Sequence, residues 1–183
     1  MSELEKMLAG ELYNANDPQL LEMRHKARRL LAKYNLTSYE NLEEKISILK
    51  KLFGAVDDNT DIQAPFYCDY GSHITAGKNL FINFNCTILD CAKVTFGDNV
   101  LIAPNVQIYT AYHPILARER IKGPELAASV SIGNNVWIGG GAIICPGVSI
   151  ADNTTIGAGS VVTRNIPANV VAAGNPCRII KEL

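Results

Sequence analysis

The chain has 183 residues, with 17 basic and 18 acidic side chains and a net charge of -1, so no global field draws it to nucleic acid or an anionic membrane. Hydrophobic residues make up 48%, enough to bury a substantial core in one domain or in a large domain with a small appendage. No apolar run approaches the ~18 residues of a membrane span, the acidic start MSELEKML lacks a signal-peptide core, and five cysteines without a C-x-x-C pair read as neither a disulfide framework nor a zinc site; a cytoplasmic protein is expected.

Residues 1–53 read as helices joined by short turns, the first ending at Gly10. Asp17 caps a second helix with Pro18 as its first residue. Leu20, Met23, Ala27, Leu30, Leu31 and Tyr34 share its apolar face, and the helix should stop near Asn35. The basic run Arg24, His25, Lys26, Arg28, Arg29 is its solvated side. Thr37 and Glu40 have capping-box spacing for a third helix, with Leu42, Ile46, Leu49 and Phe53 as its stripe and Gly54 as its C′ residue. These stripes need a partner, either the next coils or a neighbouring subunit.

From Val56 onward turns take over, and residues 54–183 form the second unit. Ile132, Ile138, Ile144, Ile150, Ile156 and Val162 recur at every sixth position. Val136, Ala142, Val148, Thr154 and Ser160 sit four residues after each of the first five, with Gly, Asn, Asp and Pro between. A period of six fits neither helix nor flat sheet; it is the hexapeptide signature of a parallel β-helix, three hexads to an eighteen-residue coil. VSIGNNV at Val130 returns as VSIADNT at Val148, eighteen residues on.

Earlier relatives are ITAGKNL at Ile74 and VTFGDNV at Val94, one coil plus two residues apart, which puts a surplus near Leu89–Lys93. Ile62, Cys68, Ile74, Leu80 and Cys86 keep the six-residue step. Cys68 and Cys86 would therefore stack in adjacent coils, as small buried side chains. Between Ile108 and Val130 one coil's worth of chain, 109–129, leaves the prism as a loop carrying TAYHP. At the far end, 166–183 break the period with Pro167 and Pro176 and offer a short segment that folds back over the open coil as a cap.

Of three histidines, His25 lies in the basic run and His73 at a coil turn, whereas His113 stands on the loop where the chain leaves its scaffold. Zinc hydration chemistry on the same coil wants three histidines at one metal, and only His73 and His113 lie on coils; no metal is expected. A noncatalytic scaffold has no use for such a loop.

The motifs AGELY, NFNCTILD, IAPNV, YHP, IGNNVWIGG, PGVSI, IGAGSVVT, IP and GNP, in this order, resemble the maltose and galactoside O-acetyltransferases over nearly the whole chain. The resemblance implies a mainly β protein: a left-handed parallel β-helix of hexapeptide repeats with an N-terminal helical segment and a short C-terminal cap. It also implies a homotrimer and acetyl-CoA as co-substrate. His113 would be the general base on a sugar hydroxyl; neutral imidazole, with a reference pKa of ~6.5, suits that task. Glu125 either orients its ring or is an ordinary loop carboxylate. Asn83 would contact acceptor and oxyanion, and Asp69 and Asp90 would bind acceptor hydroxyls; at coil corners all three residues also serve turn backbone.

For acetyl-CoA the resemblance selects Trp137, Gly140, Ala158, Thr163 and Arg164, which coils stacked in register would line along one edge, with Arg178 and Lys181 as further cations for its phosphates or as a solvated terminal segment. Asn83 and Asp90 would be presented from one coil face, with His113 above. Cys91 stands where galactoside-acetylating relatives carry a second acid and maltose-type relatives an apolar residue. The expected reaction is therefore transfer to the 6-hydroxyl of glucose or maltose, with a galactoside, a lipo-oligosaccharide precursor, an antibiotic or an amino acid as alternative acceptors.

Overall fold

The computed structural model describes all 183 residues. Helix α1 (Glu3–Ala9) starts at a capping box, in which Ser2 and Glu5 each bond the other's backbone, and stops where Gly10 turns left-handed at φ 75°. In α2 (Pro18–Leu36) Asp17 Oδ1 accepts from Gln19 N at 2.9 Å, and Leu20, Ala27, Leu31 and Tyr34 are buried as the 3.6-residue pattern predicts. Helix α3 (Leu42–Leu52) departs from expectation. Asn41 caps it by accepting from Glu44 N, while Thr37 closes α2 instead. Its buried face is Lys45, Ile48, Leu49 and Leu52, and Leu42 is exposed. Gly54 is not a left-handed cap: a Cβ there would lie 2.6 Å from Ser72 O, so glycine lets helix and coil touch.

The rest is a three-faced prism. The first coils contain β1 (Asp61–Ile62), β2 (Phe66–Cys68), β3 (Ile74–Ala76), β4 (Phe81–Ile82), β5 (Cys86–Leu89), β6 (Val94–Phe96), β7 (Leu101–Ile102) and β8 (Gln107–Tyr109). An excursion follows, with β9 (Ala111–Tyr112), a turn of helix α4 (Ala117–Arg120) and β10 (Leu126–Ala127). The upper coils contain β11 (Val130–Ile132), β12 (Trp137–Ile138), β13 (Ile143–Ile144), β14 (Ser149–Ile150), β15 (Thr155–Ile156) and β16 (Val161–Val162). Strands β17 (Val170–Ala173) and β18 (Arg178–Glu182) close the chain.

Face one stacks β1, β4, β7, β12, β15 and β17; face two β2, β5, β8, β13 and β16; face three β3, β6, β11 and β14, all in parallel register. The six-residue series from Ile132 to Val162 is 0–2% exposed and fills the axis. Each such burial is worth ~1.5–3 kcal/mol. The corner from face three to face one turns on left-handed asparagines: Asn79, Asn99, Asn135, Asn153 and Asn169 have φ of 56–58°. Their side chains bond one another up the prism at 2.8, 3.0, 2.9 and 2.9 Å, satisfying the amides that the turn exposes.

Both open ends are covered. At the bottom, helix side chains stand in for a missing coil: Tyr34 Oη and Lys45 Nζ donate to Ile62 O, and Asn35 exchanges two 3.0 Å bonds with the Phe66 backbone. At the top, β18 folds back antiparallel on β17.

Coil length differs between the two halves. Ile138 faces Ile156 eighteen residues on, whereas Ile62 faces Ile82 and Ile82 faces Ile102, twenty residues on. One surplus falls at 90–93, as expected. The other falls at 69–73, and it overturns the stacking of Cys68 on Cys86: Cys68 faces Ile88, and Cys86 faces Phe66. Both thiols are buried and free.

Candidate active site

Every insertion in the prism occurs at one corner, between faces two and three: 69–73 after β2, 90–93 after β5, and the excursion after β8. An insertion there leaves the axial side chains in register while pushing polar residues outward. His113 directly follows β9, at the base of the connection between β9 and β10, and is exposed, with Leu12, Tyr112, Pro114, Leu116 and Leu126 lining the shallow pocket beside it.

The hairpin is tied to the N-terminal segment by Tyr13. Its backbone exchanges two 3.0 Å bonds with Glu125, and its phenol donates to Glu125 Oε2 at 2.8 Å. Glu125 thus departs from expectation: the partner of its carboxylate is Tyr13 and not the His113 ring. Burial, then the neighbouring Cys91 and Glu125, hold the Tyr13 pKa well above the usual phenol range, so the phenol keeps its proton as the donor.

Around Tyr13 the corner gathers a polar cluster. Cys91 Sγ donates to Asp69 Oδ2 at 3.6 Å; burial first and the Asp69 charge second push its thiol pKa up, keeping it protonated. Asp69 is half-buried, and burial raises its pKa too. Arg24 of α2 donates to Tyr70 Oη at 2.7 Å and lies near enough to Asp69 to oppose that rise. Sequence reading had missed Tyr13 and Arg24 as parts of the site, although AGELY contains the tyrosine.

Asp90 corrects a second expectation. It is 0% exposed, and its oxygens accept the backbone N–H groups of Asp69, Tyr70 and His73, so no oxygen is presented to a groove. Burial pushes its pKa up to about 7 against those amide donors. His73 packs at a tilt against Tyr70, ring centroids 5.2 Å apart, and donates from Nδ1 to Asp90 O at 2.7 Å; burial lowers its pKa, keeping the ring neutral and structural.

The remaining candidates do not share His113's corner. Asn83 ends β4 at the corner between faces one and two, a full strand away from Asp90, roughly 13 Å along β5. Its amide oxygen accepts Phe84 N at 2.7 Å, which turns the NH2 group outward as a donor. Gly140 and Ala158 lie up the same corner, where Gly159 N bonds Gly140 O at 2.9 Å. Trp137, on face one between Leu101 and Thr155, is 53% exposed. Thr163 and Arg164 follow β16 at His113's corner, and Arg178 and Lys181 sit on β18. The donor residues therefore do not line a single edge, and Asn83 and Asp90 stand at opposite ends of face two.

Residues 6–57 match the maltose acetyltransferase hexapeptide capping motif, and 129–164 match the bacterial transferase hexapeptide of six repeats. The fold superposes on the crystal structure of a maltose O-acetyltransferase from Clostridium difficile 630 with a TM-score of 0.99 and 51% identity, over 100% of this chain and 98% of that one. A galactoside acetyltransferase in complex with coenzyme A gives a TM-score of 0.96 and 44% identity, over 100% and 91%. Nodulation protein L of Rhizobium meliloti is 50% identical over 178 residues, 97% of each chain.

Proposed function

Because the chain belongs to the maltose and galactoside O-acetyltransferase family of hexapeptide-repeat proteins, we propose that it acetylates the 6-hydroxyl of a glucose- or maltose-type sugar, with His113 as general base. The protein is an acetyl-CoA-dependent O-acetyltransferase of the maltose and galactoside type. In the ternary complex His113 takes the hydroxyl proton as the sugar oxygen attacks the thioester carbonyl. The amide NH2 of Asn83 stabilises the tetrahedral oxyanion, and the C–S bond breaks as the imidazolium returns the proton to the leaving thiolate.

The segregation of groups between corners supports a homotrimer with shared sites. His113 and Asp69 occupy one corner, and Asn83, Trp137, Gly140 and Ala158 belong to face one and the corner beyond it. A site that needs both sets joins the first from one copy to the second from its neighbour, with Thr163, Arg164, Arg178 and Lys181 along the acetyl-CoA groove. Exposed Phe84, Leu101 and Trp137 on one side and Tyr112, Ile115 and Leu116 on the other supply apolar surface for that contact. Five free cysteines suit a cytoplasmic setting.

The observation that carries the base assignment is the tethered hairpin, which holds His113 outward at the corner where Asp69 emerges. His113→Ala should lower turnover roughly 100-fold or more while acetyl-CoA affinity stays within a few-fold. Wild-type turnover in that variant would remove His113 from the mechanism. The alternative acceptor at the same site is a lipo-oligosaccharide precursor. Thiol release from acetyl-CoA with glucose, maltose, galactosides and oligosaccharides decides between them.

A further inference from the structure

A two-residue surplus in a coil corner creates a physical problem: the bulged turn points its N–H groups away from the ladder that would otherwise satisfy them. At 69–73 the coil above supplies the answer. Asp90 Oδ1 accepts from Asp69 N at 3.1 Å and Tyr70 N at 2.9 Å, Oδ2 accepts from His73 N at 3.3 Å, and Asp90 O accepts a hydrogen bond from His73 Nδ1 at 2.7 Å. Two coils thereby become one rigid corner.

The next expanded corner repeats the device. Thr110, also 0% exposed, accepts Ala92 N on Oγ1 at 2.8 Å and donates to Leu89 O at 2.6 Å. In the strict coils above, Arg164 occupies the equivalent step over the regular corner 145–148, and its side chain offers no acceptor to the turn below. The clamp thus exists at both two-residue surpluses and is absent at the regular corner.

The turn held by Asp90 is the one from which Asp69 emerges, its carboxylate meeting the Cys91 thiol beside Tyr13 and Glu125. We propose that Asp90 is a positioning residue for the acceptor: its carboxylate fixes the 69–73 corner so that Asp69 meets the sugar at a set height, while Asp90 itself never touches the sugar. This rests on the reading above that Asp69 binds the acceptor. The geometry leaves Asp90 no other role toward a ligand, because three backbone donors hold its oxygens and no part of it reaches solvent.

The test is a double-mutant cycle with the fastest sugar of a glucose, maltose and galactoside panel. Asp69→Ala should lower kcat/KM for the sugar about 10- to 150-fold. Asp90→Asn keeps the shape of the side chain but turns an NH2 toward His73 N–H, and should cost roughly 10-fold in sugar kcat/KM with the KM for acetyl-CoA within two-fold. In the Asp69→Ala background, Asp90→Asn should change sugar kcat/KM by less than about two-fold, because it acts through a group already removed. If Asp69→Ala alone leaves sugar kinetics intact, the acceptor role of Asp69 falls and the proposal with it. If Asp69→Ala matters but the two effects multiply in full, that role stands and the positioning by Asp90 is overturned. Amide exchange on the unmutated protein gives an independent arm: Tyr70 and His73 N–H should be protected as strongly as the β5 ladder, and rapid exchange at both would overturn the clamp even where a variant fails to fold.

Discussion

The coils below residue 130 and those above it are built on the same axial repeat and do different work. From Val130 to Val162 each coil takes eighteen residues, every turn is satisfied by backbone bonds and short Asn, Asp or Ser side chains, and the axis is filled by Ile, Val, Ala and small polar residues. Below, each coil carries additional residues at one corner, and there the chain places Asp69, Asp90, Cys91, His113 and Glu125. A periodic scaffold can insert chemistry at one edge without disturbing its axis, provided that buried polar side chains replace the lost ladder bonds.

The two halves should therefore fail differently. Ile144→Ala, in the strict half, should lower unfolding free energy by about 2–5 kcal/mol with kcat of the folded enzyme nearly unchanged, as denaturant titration beside kinetics would show. A large loss of kcat without loss of stability would break the contrast.

The pH dependence of stability sharpens it from the other side. The Asp90 carboxyl rises from 3.8 to about 7 on folding. The folded chain then holds that proton more tightly, so the contribution is full below roughly pH 4 and is lost as pH rises through about 7. Relative to Asp90→Asn, the unmutated protein should lose about 1.4 kcal/mol per pH unit across that window. Parallel pH profiles would contradict the burial.

Tyr13→Phe removes the phenol from Glu125 but keeps the ring packing. It should cut kcat about 10-fold by loosening the hairpin under His113, with a shift in melting temperature of a few degrees. The smallest effect belongs to the asparagine ladder: Asn135→Gly keeps the left-handed turn, loses the ladder bonds and should cost about 1 kcal/mol or less with no kinetic change.

Much of this was legible in the sequence, because the hexad at Ile132–Val162 has one geometric solution and the excursion follows from the coil arithmetic. The bulge at 69–73 was not, since Cys68, Ile74, Leu80 and Cys86 still fall six apart while the true register runs through Cys68, Ala76 and Ile82. Spacing also places Asp90 on a corner without saying whether its carboxylate faces in or out. The start of α3 was misread because Thr37 and Asn41 both precede a glutamate three residues on, and the chain uses Asn41. A homotrimer with sites between its subunits was already expected from the family resemblance, and the placement of Asn83 and His113 at different corners supports that proposal.

That sharing is tested most directly by mixing two inactive variants. His113→Ala and Asn83→Ala homotrimers should each be nearly inert. Denatured together and refolded as mixed trimers from equal amounts, they should recover roughly a quarter of the unmutated activity, because random assembly leaves about that fraction of interfaces with both His113 and Asn83 intact. Mixed trimers no more active than their parents would contradict the account, since both residues would then have to come from the same chain.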